Sequence, residues 1–206
     1  MEIMNQLENL KKIAKTKLAK NDPAHDFEHV MRVYRNAEKI CKTESGNKKL
    51  ILSAVLLHDI IKTKNRKDSS LKSAKLSEKI LKENNFYDDE IKIISNAIKQ
   101  HSFSKGKIPS TIEGKILQDS DRLDAIGAIG LARVFSFSGS NNRPFYDPND
   151  PFSKNRVLND NRWALDHFYE KLLTLEKKMN TKTGKNLAKK RTKILKNFLK
   201  ELKNEI

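Results

Sequence analysis

The sequence is poor in the residues and segments that define several classes of protein. Among its 206 residues there is a single cysteine, Cys41, which excludes an internal disulfide and is typical of a reducing compartment. No apolar run approaches the roughly 20 residues that a membrane-spanning helix needs. The amphipathic N-terminus also lacks the apolar core and the cleavage site of a secretory signal. We therefore expect a cytoplasmic protein that has no membrane partner.

Alternating strand patterns are missing as well, and glycine and proline are scarce, at 7 and 5 residues. Apolar residues recur instead at spacings of three and four, which is the period of an amphipathic helix. The run LILSAVLLHDII, within residues 48–61, predicts a buried central helix. A length of 206 residues fits one domain. The sequence therefore predicts an all-α protein, a single-domain helical bundle over residues 1–206.

The C-terminal half departs from this regular pattern at one place. Residues 138–157 are rich in proline and asparagine and predict a long loop, which inside a compact domain is often an active-site lid. Residues 158–206 predict a pair of helices, at about 158–180 and 184–204, packed on the core.

Four polar residues near apolar helical segments predict a metal site. The pair His58-Asp59 ends the apolar run, and an imidazole beside a carboxylate is costly to bury unless a partner compensates both. His29 lies on a second predicted helix and Asp121 on a third. Two neutral nitrogens and two anionic oxygens suit a six-coordinate Mn²⁺, Mg²⁺, Fe²⁺, Co²⁺ or Ni²⁺ with positions left for water and substrate. Closed structural zinc sites prefer cysteine.

The order H…HD…D, with intervals of 29 and 62 residues on a helical chain, resembles the HD superfamily of metal-dependent phosphohydrolases. The segments similar to its bacterial YedJ/YpgQ-like branch are AHDFEHVMRV, LLHDI, HSFS, KILQDSDRLDAIGAIGLARVF, RPFYDP and HFYEKLL. The resemblance implies one metal ion bound by His29, His58, Asp59 and Asp121, with Mn²⁺ or Mg²⁺ expected first and Co²⁺, Ni²⁺ or Fe²⁺ as alternatives. It also implies hydrolysis of phosphate esters or anhydrides in nucleotides.

The chain differs from two other groups of the superfamily in their characteristic motifs, and these differences narrow the range of expected substrates. Alarmone hydrolases of the superfamily carry acidic residues after the doublet (HDxxED), whereas this chain reads HDIIKT. The HHxxGYP-like segment of cyclic-dinucleotide phosphodiesterases is missing. A (deoxy)nucleoside triphosphate pyrophosphohydrolase is the leading expectation, and a 5'-nucleotidase or an RNA-end phosphohydrolase is the alternative.

Basic residues beside the predicted ligands are candidates for contact with phosphate, whose transition-state charge cations stabilise. Lys62 follows the doublet by three positions and is predicted to be catalytic. Arg32 follows the first histidine by three positions, and Arg122 directly follows the last aspartate; both are predicted to bind substrate. The alternative for each is a solvated or structural ion pair.

Three further residues have more than one interpretation. Asp124, which could orient a ligand or accept a proton, is predicted to be catalytic, and His25, one turn before His29, is predicted to bind substrate. His101 could be a second-metal ligand, a base near the leaving group or an ordinary helix-end residue, and it is predicted to be catalytic. Two-metal HD proteins generally supply additional histidines, and this chain offers only His25, His101 and His167, so one metal ion is predicted.

The predicted loop at residues 138–157 supplies the last candidates for substrate binding. Arg143, Tyr146 and Arg156 could close over a nucleotide, with the tyrosine on the base and the arginines on the phosphates. The alternative is a well-packed surface segment.

The net charge of +16 leaves a different class of function open. Basic surfaces concentrate polyanions, so a basic nucleic-acid-binding helical protein with a non-catalytic metal site is the alternative. Against it, residues 171–206 carry an apolar packing face and no recognition-helix motif. The oligomeric state is left as monomer or homodimer.

Overall fold

The computed structural model of the protein describes residues 2–19, 26–61, 63, 66–102 and 106–206. These residues form nine α-helices and no β-strand, and the predicted all-α class is confirmed. None of the described helices is long and apolar enough to cross a membrane. The helices are α1 (Glu2–Leu18), α2 (Phe27–Ile40), α3 (Lys48–Leu57), α4 (Arg66–Glu83), α5 (Asp88–Gln100), α6 (Ile112–Asp124), α7 (Gly127–Ser140), α8 (Asp166–Glu170) and α9 (Lys182–Glu205).

Helix α3 is the central element of the first of two compact units, Met1–Asp121 and Arg122–Ile206. It contacts α1, α2, α4 and α5, and every residue from Leu50 to Leu57 is buried. A helix without a polar face has to be enclosed by other elements, and the predicted buried central helix is confirmed. The helix ends at Leu57, before the predicted end at residue 61, and His58 is its C-cap.

Side-chain caps fix where α2 and α3 begin. The carboxylate of Asp26 accepts a hydrogen bond from the backbone N–H of His29 at 2.8 Å. The side chain of Asn47 accepts from the N–H groups of Lys49 and Leu50 at 3.0 and 3.3 Å. Such caps satisfy helix N–H groups that have no partner within the helix. The cap on α2 therefore sets the register that places His29 in the first turn.

In the second unit, α7 packs closely against α9. Gly127 begins α7 with φ of 81°, a conformation that favours glycine. A Cβ atom at this position would lie 3.1 Å from Cγ of Arg191 on α9. Helix α9 begins where Thr181 accepts a hydrogen bond from the N–H of Gly184 at 2.9 Å, close to the predicted start.

The predicted continuous helix at residues 158–180 is wrong. The chain turns at Asn159, whose side chain accepts hydrogen bonds from the N–H groups of Asn161 and Arg162, each at 3.2 Å. Asparagine competes in this way with helical hydrogen bonds. Helical structure then comes only in short pieces, which are α8 and the 3₁₀ segments Leu172–Thr174 and Glu176–Lys178.

The predicted loop at residues 138–157 starts later than expected, because α7 continues to Ser140. The Arg143 guanidinium donates to Oγ of Ser138 at 3.0 and 2.8 Å and to the backbone oxygen of Asp160. These contacts tie the segment to neighbouring parts of the second unit. Its role as a lid stays a prediction.

Candidate metal centre

Five titratable side chains of the first unit come together at the ends of helices. His29 lies in the first turn of α2, and Asp121 lies near the end of α6. His58 and His101 are the C-cap residues of α3 and α5, and Asp59 directly follows the first of them. The four side chains that the sequence predicted as ligands thus lie in one cluster, together with His101.

The donor atoms of this cluster form two overlapping triads. His29 Nε2 lies 3.6 Å from Oδ1 of Asp121. Asp59 directs Oδ2 to Nε2 of His58 at 3.9 Å and Oδ1 to Nε2 of His101 at 3.8 Å. His58 belongs to both triads, and within each the donor atoms lie within 4.8 Å of one another. Ligand bonds of about 2.0–2.2 Å separate the donors of one octahedral ion by roughly 3 to 4.4 Å, so each triad by itself is nearly compact enough to hold an ion.

The ring orientation of His58 leaves one nitrogen directed to the cluster. Its Nδ1 lies 2.7 Å from the backbone oxygen of Val55. A carbonyl oxygen only accepts, so Nδ1 carries a proton, and when the ring is neutral Nε2 presents a lone pair. That Nε2 is buried and has no hydrogen-bond partner among the described residues. Leaving such an atom unsatisfied costs about 1–3 kcal/mol, and a divalent cation bound to its lone pair would remove this cost.

The pKa values of Asp121 and His101 are both lowered, in the direction that favours metal binding. Burial raises the pKa of Asp121, but the positive charge that the neighbouring imidazoles carry when protonated holds this pKa below its ordinary value, and a bound cation would act in the same direction. Burial lowers the pKa of His101, and His58 lowers it further against the opposing effect of the carboxylates. Ionised carboxylates and neutral imidazoles are the forms that coordinate a cation. The residues present therefore fit a divalent ion.

Two buried amides position the cluster, and sequence reasoning missed both. Asn36 Nδ2 donates to the backbone oxygen of Ser120 at 3.1 Å, which joins α2 to α6. Gln118 Nε2 donates to the backbone oxygen of His101 at 3.2 Å, which joins α6 to the end of α5. A signal for Asn36 was available, because it follows His29 by seven residues and so shares its helical face.

The other predicted residues of the first unit are less constrained. Lys62 and His25 lie outside the described residues, so their predicted roles stay predictions. Arg32 is on α2, one turn after His29, and its side chain is partly buried. This position is compatible with the predicted contact to substrate, which also stays a prediction.

Arg122 and Asp124, at the end of α6, have structural partners within the second unit. The Arg122 guanidinium donates to the backbone oxygen of Lys178. Asp124 is buried and accepts a hydrogen bond from Arg133 at 2.6 Å. The contact of Asp124 is an ion pair and that of Arg122 is a hydrogen bond to a carbonyl group, while the predicted substrate and catalytic roles stay predictions.

Arg156 and Tyr146 also have defined surroundings. Arg156 forms a two-pronged ion pair with the buried carboxylate of Asp166, at 2.6 and 2.8 Å. Tyr146 lines an apolar pocket of about 240 Å³ within the second unit. Together with the contacts of Arg143, these placements describe a packed segment, and substrate binding by the three residues stays a prediction.

Comparisons with known proteins identify the family of the chain. Residues 26–126 match the HD domain family. The chain is 32% identical over 211 residues to the uncharacterized protein YpgQ of Bacillus subtilis (strain 168), covering 100% of this chain and 96% of that protein.

Solved structures give the same result over the whole chain. The crystal structure of Bacillus subtilis YpgQ in complex with ADP has a TM-score of 0.80 at 29% identity, covering 100% of this chain and 97% of that chain. An HD-superfamily hydrolase from Bacillus thuringiensis has a TM-score of 0.79 at 32% identity, covering 98% and 97%. The histidines and aspartates of the cluster, the matching family and the full-length relatives agree, and the chain belongs to the HD superfamily of metal-dependent phosphohydrolases, in a branch that it shares with YpgQ.

Proposed function

We propose that this protein hydrolyses (deoxy)nucleoside triphosphates as a pyrophosphohydrolase, with one divalent ion held by His29, His58, Asp59 and Asp121. The observation that carries the proposal is the buried Nε2 of His58, which faces carboxylate oxygens and has no hydrogen-bond partner among the described residues. A purely structural histidine at this position would leave that atom unsatisfied. A resident cation removes the penalty.

The donor set supports particular ions. Carboxylate oxygens suit Mg²⁺ and Mn²⁺, and imidazole nitrogens suit first-row transition ions. Mn²⁺ accepts both kinds of donor and is our first choice, with Mg²⁺ next. A divalent ion bound here would polarise a phosphoryl oxygen or lower the pKa of a bound water so that it attacks near neutral pH.

The chain's own residues supply the preorganisation. Hydrogen bonds from Nδ1 to the carbonyls of Val55 and Ile98 hold the imidazoles of His58 and His101 in one tautomer and one orientation. Groups fixed in this way need no reorganisation when charge develops in the transition state. Arg32 lies one turn from His29 on the same helix, and we assign its guanidinium group to phosphate binding.

A nucleotide as substrate is supported by the relative and by the charge. YpgQ has been crystallised in complex with ADP. The net charge of +16 attracts polyanionic molecules to this chain. Both points support a phosphate-rich small molecule, and neither selects the bond that is cleaved.

The deciding experiment screens ribo- and deoxyribonucleoside mono-, di- and triphosphates with Mn²⁺, Mg²⁺, Co²⁺ or Ni²⁺ and separates the products by chromatography. We expect a nucleoside monophosphate and pyrophosphate from the triphosphates. Hydrolysis of monophosphates alone would make the protein a 5'-nucleotidase, and turnover of capped or triphosphorylated RNA alone would make it an RNA-end hydrolase. A salt-sensitive shift of DNA or RNA without any turnover would favour the nucleic-acid-binding alternative.

A further inference from the structure

We propose that His101 is a fifth protein ligand of the same ion, so that the centre has three imidazole nitrogens and two carboxylates. This inference rests on the metal site of the proposed function but not on the identity of the substrate. It concerns a residue outside the H…HD…D set, on a helix that contributes none of the other four ligands.

His58 and His101 are presented to the centre in the same way. Both are helix C-caps with nearly equal backbone angles, φ −64° and ψ −34° for the first and φ −67° and ψ −30° for the second. In each, Nδ1 lies close to the carbonyl oxygen three residues earlier, at 2.7 Å from Val55 and 2.6 Å from Ile98. In a neutral His101 ring this contact places the proton on Nδ1, as in His58, and leaves the lone pair on Nε2.

The carboxylate of Asp59 lies between these two nitrogens. Its Oδ2 is 3.9 Å from Nε2 of His58, and its Oδ1 is 3.8 Å from Nε2 of His101. The two rings are 5.1 Å apart and nearly perpendicular. A cation among these donors would accept electron pairs from both nitrogens and from the carboxylate. His58, Asp59 and His101 form a triad whose donor atoms lie within 4.8 Å of one another, as do those of His29, His58 and Asp121.

The backbone of His101 is also fixed by a hydrogen bond. Only 5% of its surface is exposed, and its own backbone oxygen accepts a hydrogen bond from the buried amide of Gln118 at 3.2 Å. A residue fixed both through its ring and through its backbone is preorganised for ligation, and it pays little entropy on binding. An ordinary helix-end histidine at the surface would need neither contact.

Five protein donors change what the centre can do. A six-coordinate ion would keep one exchangeable position, which water and a phosphoryl oxygen would have to share in turn. Three imidazoles also shift the preference toward Fe²⁺, Co²⁺ and Ni²⁺ and away from Mg²⁺. We therefore expect the His101→Ala variant to lose affinity for Co²⁺ by more than about 100-fold, the upper range for residues that only orient a ligand, and to lose much less for Mg²⁺.

The test counts imidazoles on bound Mn²⁺ by pulsed electron paramagnetic resonance of the full chain. We expect modulation from three imidazole nitrogens in the wild type and from two in the His101→Ala and His101→Gln variants. The His167→Ala variant is the matched control, because this histidine pairs with Asp160 at 2.8 Å in the second unit, and it should still show three. Circular dichroism verifies that each variant is folded, and the glutamine variant keeps most of the side-chain volume.

Two results would overturn the proposal. One is a count of two imidazoles in the wild type that the substitution leaves unchanged, which would make His101 a neighbour of the ion and not a ligand. The other is a titration with two ions per chain, of which the variant loses one, because His101 would then belong to a separate ion. If no nucleotide is hydrolysed but three imidazoles are counted, the proposed substrate fails and this inference stands.

Discussion

The metal centre and the segment between residues 141 and 166 both concentrate charged side chains, but their partners differ. In the segment, each of the carboxylates of Asp166 and Asp150 has a donor. Arg156 forms an ion pair with Asp166, and the backbone N–H groups of Lys154 and Asn155 donate to Asp150. In the centre, the Nε2 atom of His58 is buried without a hydrogen-bond partner among the described residues. A buried polar atom without a hydrogen-bond partner therefore identifies a metal site better than a high density of charged side chains does.

The comparison predicts that changes in the centre act on activity and changes in the segment act on stability. Replacing a ligand removes the cation and with it the chemistry. Replacing a residue of the segment leaves a buried charge without a partner. The substitutions below test this division, beginning with the largest expected effect.

The His58→Ala variant should lose Mn²⁺ binding and lower kcat/KM for nucleotide hydrolysis by at least about 1,000-fold. The reason is that a bound cation contributes several kcal/mol to such reactions and each 1.36 kcal/mol is a factor of ten. Isothermal titration and steady-state kinetics measure the two quantities. The matched control is Ser53→Ala on the same helix, because its buried hydroxyl also has no partner among the described residues but lies outside the cluster. Equal losses in both variants would contradict a metal role for His58.

The Arg156→Ala variant should lower the free energy of unfolding by about 3 kcal/mol, because it leaves the buried carboxylate of Asp166 without its ion-pair partner. The low end of the usual range applies since a fifth of the Arg156 side chain is exposed. Chemical denaturation measures the loss. Under conditions where the variant is folded, KM for the nucleotide should equal that of the wild type. A raised KM with unchanged stability would assign Arg156 to the substrate instead, as its sequence context predicted.

Sequence patterns predicted the elements whose determinants are local. The apolar run before His58 is enough to indicate a buried helix, and the spacing of apolar residues is enough to place α9. The helix expected from residue 158 failed because a side chain, Asn159, captures the backbone N–H groups there. The sequence indicated His101 as a site candidate, but it could not give its position beside His58 and Asp59, because that depends on the packing of α5 against α3. Long-range packing leaves no local periodicity to detect.

The Gln118→Ala variant should lose about 1–2 kcal/mol of unfolding free energy and also bind Mn²⁺ about tenfold more weakly. Its amide donates a hydrogen bond to the backbone oxygen of His101 and thereby fixes the position of this residue. Gln6→Ala is the matched control, since Gln6 donates in the same way to the backbone oxygens of Asn84 and Asn85 at 2.9 and 3.2 Å. Denaturation and Mn²⁺ titration should show similar stability losses in both variants. If Gln6→Ala weakened Mn²⁺ binding as much, the effect would come from general loosening of the first unit.

The smallest expected effects come from two helix caps that differ only in what their helices carry. Asp26→Ala and Thr181→Ala should each cost about 1 kcal/mol, because each removes the oxygen that accepts an N–H in the first turn. The N–H that Asp26 binds belongs to His29, so loss of this cap lets the first turn of α2 fray where a ligand lies. We therefore expect weaker Mn²⁺ binding, by a fewfold, in Asp26→Ala alone. A matching change in Thr181→Ala would show that metal affinity follows stability and not the position of His29, and the contrast between the two regions would then be lost.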